Sequence, residues 1–146
     1  MRRYYLAWQS LLSLMMISSA GADEVKQPAS TPGVLFSSYL LDAPGKQMVV
    51  VGLEFPPRPK DAQPISPLIQ AHRHPGSVYV YVTKGVARLG LQGLPIQTVH
   101  AGESFFEPMG AIHTIAESAS TEESASAIAV MLVPEGKALV SPATGP

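Results

Sequence analysis

The sequence contains no cysteine. That absence excludes disulfides, thiolate metal ligands, cysteine nucleophiles and anchoring through a lipidated thiol. Charge is scarce as well. Only 14% of the 146 residues are Asp, Glu, Lys or Arg, and ten basic and eleven acidic side chains nearly cancel to a net −1. Nucleic-acid binders usually carry a basic face, and none is evident here, so we expect no nucleic-acid partner. The Lys and Arg residues are scattered, which also disfavours an anionic membrane surface. Helical periodicity is missing after the N-terminal run, and no glycine-rich phosphate loop or nucleophile elbow occurs.

Apolar residues are plentiful at 46%, an ordinary globular balance, and the length suits one domain. The first 22 residues have the order of a secretory signal peptide: basic Met1-Arg2-Arg3, an apolar run over 6–20, then the small-x-small site Ala20-Gly21-Ala22 ahead of Asp23-Glu24. The apolar run is shorter than the roughly 20 residues a spanning helix needs. We therefore expect cleavage after Ala22, a periplasmic or secreted product, and no membrane attachment once the signal is removed. Residues 23–33 read as a flexible lead-in, 34–140 as one domain and 141–146 as a loose tail.

Within 34–140 the pattern is of short β-strands. Strand-like runs fall at 34–41, 47–55, 68–72, 78–83, 86–91, 96–100, 104–107, 113–117 and 127–133, most of them rich in Val, Ile, Tyr or Phe. Gly and Pro separate them, and five prolines in 56–67 exclude both a helix and a central strand there. Residues 117–126, rich in Ala, Ser, Thr and Glu without an apolar stripe, read as a loop. Many short strands with turn signals between them predict an all-β sandwich or barrel.

Four histidines stand out. His72 and His74 are two apart at a strand end, so alternation places both imidazoles on one face, and Gln70 shares their parity. His113 opens a later strand just after Pro108-Met109-Gly110. Neutral imidazole is a ligand for Fe, Mn, Zn, Ni and Cu, and a same-face pair plus a third ring builds a three-nitrogen site. A bare His-x-His pair is equally a pair of surface histidines, so spacing alone leaves that alternative open. Glu107 is either a carboxylate that orients a histidine or moves a proton, or an exposed acid at a strand end. Gln70 is either a pocket residue or a hydrogen-bonded wall residue. Glu103 reads as a surface turn, His100 as an exposed strand residue, and Met109 and Met131 as core or pocket lining.

Residues 72–85 read HRHPGSVYVYVTKG and residues 102–113 read GESFFEPMGAIH. The two stretches resemble the two sequence motifs of the cupins, separated here by the sixteen residues 86–101. The resemblance implies a cupin-type double-stranded β-helix, or jelly-roll barrel, in a small single-domain bacterial protein. It also implies that His72, His74 and His113 hold one divalent transition metal ion. The sequence departs from the pattern at Val78, where motif one usually carries a glutamate ligand, and at Glu117, where motif two often ends in Asn. Three-histidine cupins include Fe(II) dioxygenases, so the resemblance opens oxygen chemistry on a small organic substrate to this chain; Glu107, from its place before Pro108 and not from the resemblance, is the candidate proton carrier. The alternative is a non-catalytic module that binds a small molecule or a metal. The apolar walls favour a small, partly apolar ligand. A homodimer through strand 34–41, otherwise an exposed edge, is a further expectation.

Overall fold

The computed structural model describes residues 33–61 and 70–143. The signal segment, most of the lead-in and Leu68-Ile69 of the expected third strand lie outside these residues. So do the last three residues of the expected tail.

The described residues form ten strands and no helix: β1 Val34–Tyr39, β2 Lys46–Phe55, β3 His72–Arg73, β4 Ser77–Lys84, β5 Val86–Leu91, β6 Gln97–His100, β7 Ser104–Glu107, β8 His113–Ser118, β9 Ala125–Pro134 and β10 Ser141–Pro142. They make two antiparallel five-stranded sheets, in the orders β1-β2-β9-β4-β7 and β10-β3-β8-β5-β6. The fold is all-β, a jelly-roll sandwich, as the strand pattern predicts. No helix long and apolar enough to cross a membrane is found among the described residues.

Alternation explains which face each strand buries. On β4, Val78, Val80 and Val82 are buried and Tyr79 and Tyr81 are exposed. On β9, Ala125, Ala127, Ala129, Met131 and Val133 take the inner face. The long β2–β9 ladder runs without interruption from Lys46↔Pro134 to Phe55↔Ala125 and forms the spine of the first sheet. Leu89 and Phe105 join the same apolar core from β5 and β7. The small alanines of β9 matter here. They leave space between the sheets that larger side chains would fill.

Two glycines are required by position. A Cβ on Gly76 would sit 1.7 Å from the Leu132 carbonyl oxygen, so only glycine lets the β3–β4 turn lie against β9. Gly110 has φ +76°, the left-handed region, in the turn before β8. That turn is fastened to β3. The Gly110 N–H donates to the His74 carbonyl (3.2 Å), and the Arg73 guanidinium donates to the Gly110 carbonyl.

Two expectations need correction. The C-terminal stretch is not loose where it begins. Ser141 and Pro142 pair with Arg73 and His72, and the Ala143 N–H donates to the Ala71 carbonyl at 3.0 Å. Ser-Pro has little strand propensity of its own, and tertiary pairing overrides it. Gln70, expected in the pocket by parity with His72, lies before β3 begins and is exposed. Alternation does not extend to a residue outside the strand.

Candidate metal centre

The three histidines converge. His72 pairs directly with His113 across the β3–β8 ladder, and His74 follows two residues later, its ring 4.8 Å from that of His72. One ligand nitrogen from each of the three rings lies within 4.8 Å of the other two. β8 reaches this position through a bulge. Leu91 pairs with His113 and Gly90 with Ile115, leaving Thr114 without a partner. The extra residue reverses the alternation, so both His113 and Ala116 line the cavity, while Glu117 turns to the opposite face.

Each ring is pinned from behind by a backbone carbonyl. His72 Nδ1 donates to the Gln70 carbonyl at 2.9 Å, His74 Nδ1 to that of Leu139 at 2.7 Å, and His113 Nε2 to that of Ile115 at 2.7 Å. A carbonyl oxygen only accepts, so the nitrogen facing it must carry the hydrogen. The remaining nitrogens are therefore bare in the neutral rings: Nε2 of His72 and His74, and Nδ1 of His113. Nε2 of His72 and Nε2 of His74 lie 3.1 Å apart. With no hydrogen between them, that contact sets one lone pair against another. It is favourable only with a cation or an extra proton in between. This tautomer-fixing contact from behind is the usual support of a metal-binding imidazole.

Burial favours the neutral form of His74 and His113. Desolvation, helped by the neighbouring His72 ring and opposed by the Ile115 carbonyl, pushes His113 down to about 4. Burial also lowers His74, with the Leu139 carbonyl opposing and His72 adding to the shift. Neutral imidazole is the ligand form.

Glu107 completes the cluster. It is 3% exposed, and its Oε2 lies 3.4 Å from His113 Nδ1 and 3.6 Å from His74 Nε2, with no hydrogen-bond partner of its own. Burial pushes its carboxyl up to about 7. It stands directly opposite Val78 in the β4–β7 ladder, so the two side chains share one face of the sheet.

The three histidines and Glu107 help to line a cavity of about 320 Å³ between the sheets. Its walls are mostly Val, Leu, Phe, Ala and Met side chains. Met131 is buried there, whereas Met109 is 66% exposed on its turn and lines nothing in this cavity. His100 is exposed. Its backbone N–H donates to Glu103 Oε2 at 2.8 Å, which makes Glu103 a turn residue, as expected. Gln70 contributes its carbonyl and not its amide. The role of residues 135–140 is not visible in the sequence. After β9 they fold back so that Leu139 and Val140 line the cavity and Leu139 holds His74. The apolar pair Leu139-Val140, at the very end of the expected domain, is the only local hint.

The donor set fits a divalent first-row ion. It offers three proton-free imidazole nitrogens, one carboxylate, no thiolate and a largely apolar surround. Two antiparallel sheets enclosing such a histidine cluster define a double-stranded β-helix with a candidate metal centre between its sheets.

The cupin-domain family model matches residues 62–131, a span that contains all three histidines and Glu107. The chain carries a small cupin domain. Among solved structures it is similar to a cupin-like protein from Thermotoga maritima, at 17% identity and TM-score 0.48, covering 83% of this chain and 88% of that one. It is also similar to a protein with a double-stranded β-helix domain from Klebsiella pneumoniae, at 18% identity and TM-score 0.46, covering 82% and 91%. A third is the DMSP lyase DddQ from Ruegeria pomeroyi, at 16% identity and TM-score 0.44; the match covers 75% of this chain and 45% of the lyase. No match is found among curated protein sequences.

Proposed function

We propose that this protein is an exported cupin that binds one divalent transition metal ion and acts on a small, partly apolar organic molecule, in the manner of an Fe(II)-type dioxygenase. The observation that carries the reading is the set of three bare nitrogens, each fixed from behind by a backbone carbonyl, facing an apolar cavity. His72, His74 and His113 would hold the ion. An ion there would supply Lewis acidity and, if iron, one-electron chemistry toward dioxygen. The residues themselves do the rest. The backbone carbonyls hold the rings in the ligand tautomer, and the Val, Leu and Phe walls exclude water and admit an apolar ligand.

The test is reconstitution of the full chain with Fe(II) under nitrogen, followed by nitric oxide as a substitute for dioxygen. The reading predicts a ferrous-nitrosyl EPR signal, which requires an open position beside the protein ligands. Iron binding without that signal favours a second reading, a non-catalytic metal- or ligand-binding module. The predominantly apolar lining of the cavity supports that alternative, because it provides few groups to move protons.

Export rests on the basic start, the apolar run and Ala20-Gly21-Ala22. The exported product should begin Asp-Glu-Val on N-terminal sequencing, and an intact Met1 in the membrane fraction would sink the idea. A homodimer is supported by β1. It is an edge strand with Leu35 and Phe36 exposed, and light scattering at high concentration should give twice the monomer mass.

A further inference from the structure

We propose that Glu107 is a fourth, anionic ligand of the metal, supplied from β7 across the sheet from Val78. The inference rests on reading the histidine cluster as a metal centre and adds a residue to it.

Distances carry the argument. An ion about 2.1 Å from each ligand atom separates neighbouring ligands by about 3.0 Å in octahedral and about 3.4 Å in tetrahedral geometry. The His72–His74 nitrogen pair is 3.1 Å apart, and Glu107 Oε2 is 3.4 Å and 3.6 Å from its two histidine nitrogens. The carboxylate therefore sits at ligand-to-ligand distance. The contact to His74 exceeds hydrogen-bonding range, and no hydrogen bond joins Oε2 to either ring. A proton carrier for these histidines would be expected closer. An oxygen sharing an ion with them would be expected where Oε2 is.

Charge balance points the same way. Three neutral imidazoles leave a divalent ion with both charges uncompensated in an apolar pocket, a costly arrangement. Two other described carboxylates lie near enough to the fold's interior to consider. Glu117 is buried, but Arg88 and Arg58 already neutralise it on the other face of β8. Glu54 touches the cavity but is exposed, and it accepts the Ser126 hydroxyl at 3.0 Å. Glu107 alone of the three faces the bare nitrogens. Its place follows from register. Directly opposed residues in an antiparallel pair project to the same side, so a carboxylate at 107 reaches the volume that a side chain at 78 would reach.

The experiment is a Co(II) titration of the full chain, followed by its visible absorption, for wild type, Glu107→Gln and His113→Ala. Glu107→Gln keeps the shape of the side chain and removes its charge. Thermal unfolding without metal checks that each variant is folded, and Glu107→Asp serves as a second variant. We expect Glu107→Gln to bind Co(II) at least about tenfold more weakly and with a changed spectrum. Glu107→Asp should lie between it and wild type. Unchanged affinity, or weaker binding with an unchanged spectrum, overturns the ligand role while leaving the three-histidine site intact. A wild-type chain that binds no Co(II) overturns the metal centre itself, and the ligand role with it.

Discussion

Two buried glutamates, ten residues apart, occupy opposite environments. Glu117 is 1% exposed and Glu107 is 3% exposed, and each has one carboxylate oxygen without a hydrogen bond. Glu117 lies on β8 across from Arg88, whose Nη1 donates to Oε1 at 2.7 Å, with Arg58 a further 3.8 Å ion pair from the loop after β2. Its charge is matched by cations that belong to the fold. Glu107 has none. Its neighbours are imidazoles kept neutral by burial, and every ring nitrogen facing it is an acceptor. A buried carboxylate with built-in cations holds elements together. One facing only lone pairs is incomplete without a cation from outside. Burial alone does not separate the two cases; the partners do.

The largest effect should come from breaking the site on the histidine side. His72→Ala, His74→Ala and His113→Ala each leave two nitrogens, and each should weaken metal binding more than about 100-fold, beyond what loss of an outer-shell partner does. His100→Ala should bind as wild type, because His100 is exposed and remote from the cluster in the β-ladder. Calorimetric titration with Zn(II) reads both. The fold should survive in all four variants, since the apolar interior holds the barrel.

The opposite signature should follow from breaking the other glutamate. Glu117→Gln removes the carboxylate charge that Arg88 and Arg58 both face. Both arginines are partly exposed, so the cost should be about 2 kcal/mol in urea unfolding. Metal affinity should be unchanged. A Glu117→Gln variant that loses metal would erase the distinction between the two carboxylates.

Moving the carboxylate across the ladder sharpens the comparison. Glu107→Val should lose about tenfold in metal affinity. Adding Val78→Glu to that variant should recover most of it, because 78 and 107 face the same volume. Val78→Glu in the wild-type background should gain little, since it places two like charges side by side. Recovery in neither background would mean that the pocket does not admit a carboxylate from β4.

The smallest effect is on the pH dependence of the metal-free fold. His113 is lowered from 6.5 to about 4, so its contribution to stability is complete above pH 6.5 and lost as pH falls toward 4. Glu107 is raised from 4.5 to about 7, so its contribution is complete below pH 4.5 and lost as pH rises through 7. Between pH 5 and 6 the two slopes oppose. Glu107→Gln removes the second, so its stability should rise by about 1 kcal/mol more than that of wild type over this unit of pH. Equal slopes in urea unfolding at the two pH values would contradict these assignments.

Much of the site was legible in the sequence because its signals are local. The alternation of Val78, Val80 and Val82 against Tyr79 and Tyr81 marks an inner and an outer face. His72 and His74, two apart, and His113 after its Pro-x-Gly turn fall where the resemblance to cupins puts them. What was not legible depends on register and on distant pairing. Nothing near Thr114 announces the bulge that turns His113 inward. The aim of Glu107 comes from its pairing with Val78, which no local pattern encodes. Gln70 was misplaced because parity was carried past the end of a two-residue strand. The hold of Leu139 on His74 spans 65 residues, and Ser141–Pro142 becomes a strand only because β3 offers it an edge.

The central claim is that three histidines face each other because an ion belongs between them. Elemental analysis of the protein taken directly from cells, with no metal added, tests it most directly. The account predicts close to one first-row transition metal ion per chain in wild type, retained in His100→Ala and lost in His113→Ala. A wild-type chain without metal, or a His113→Ala chain that keeps it, would contradict the account.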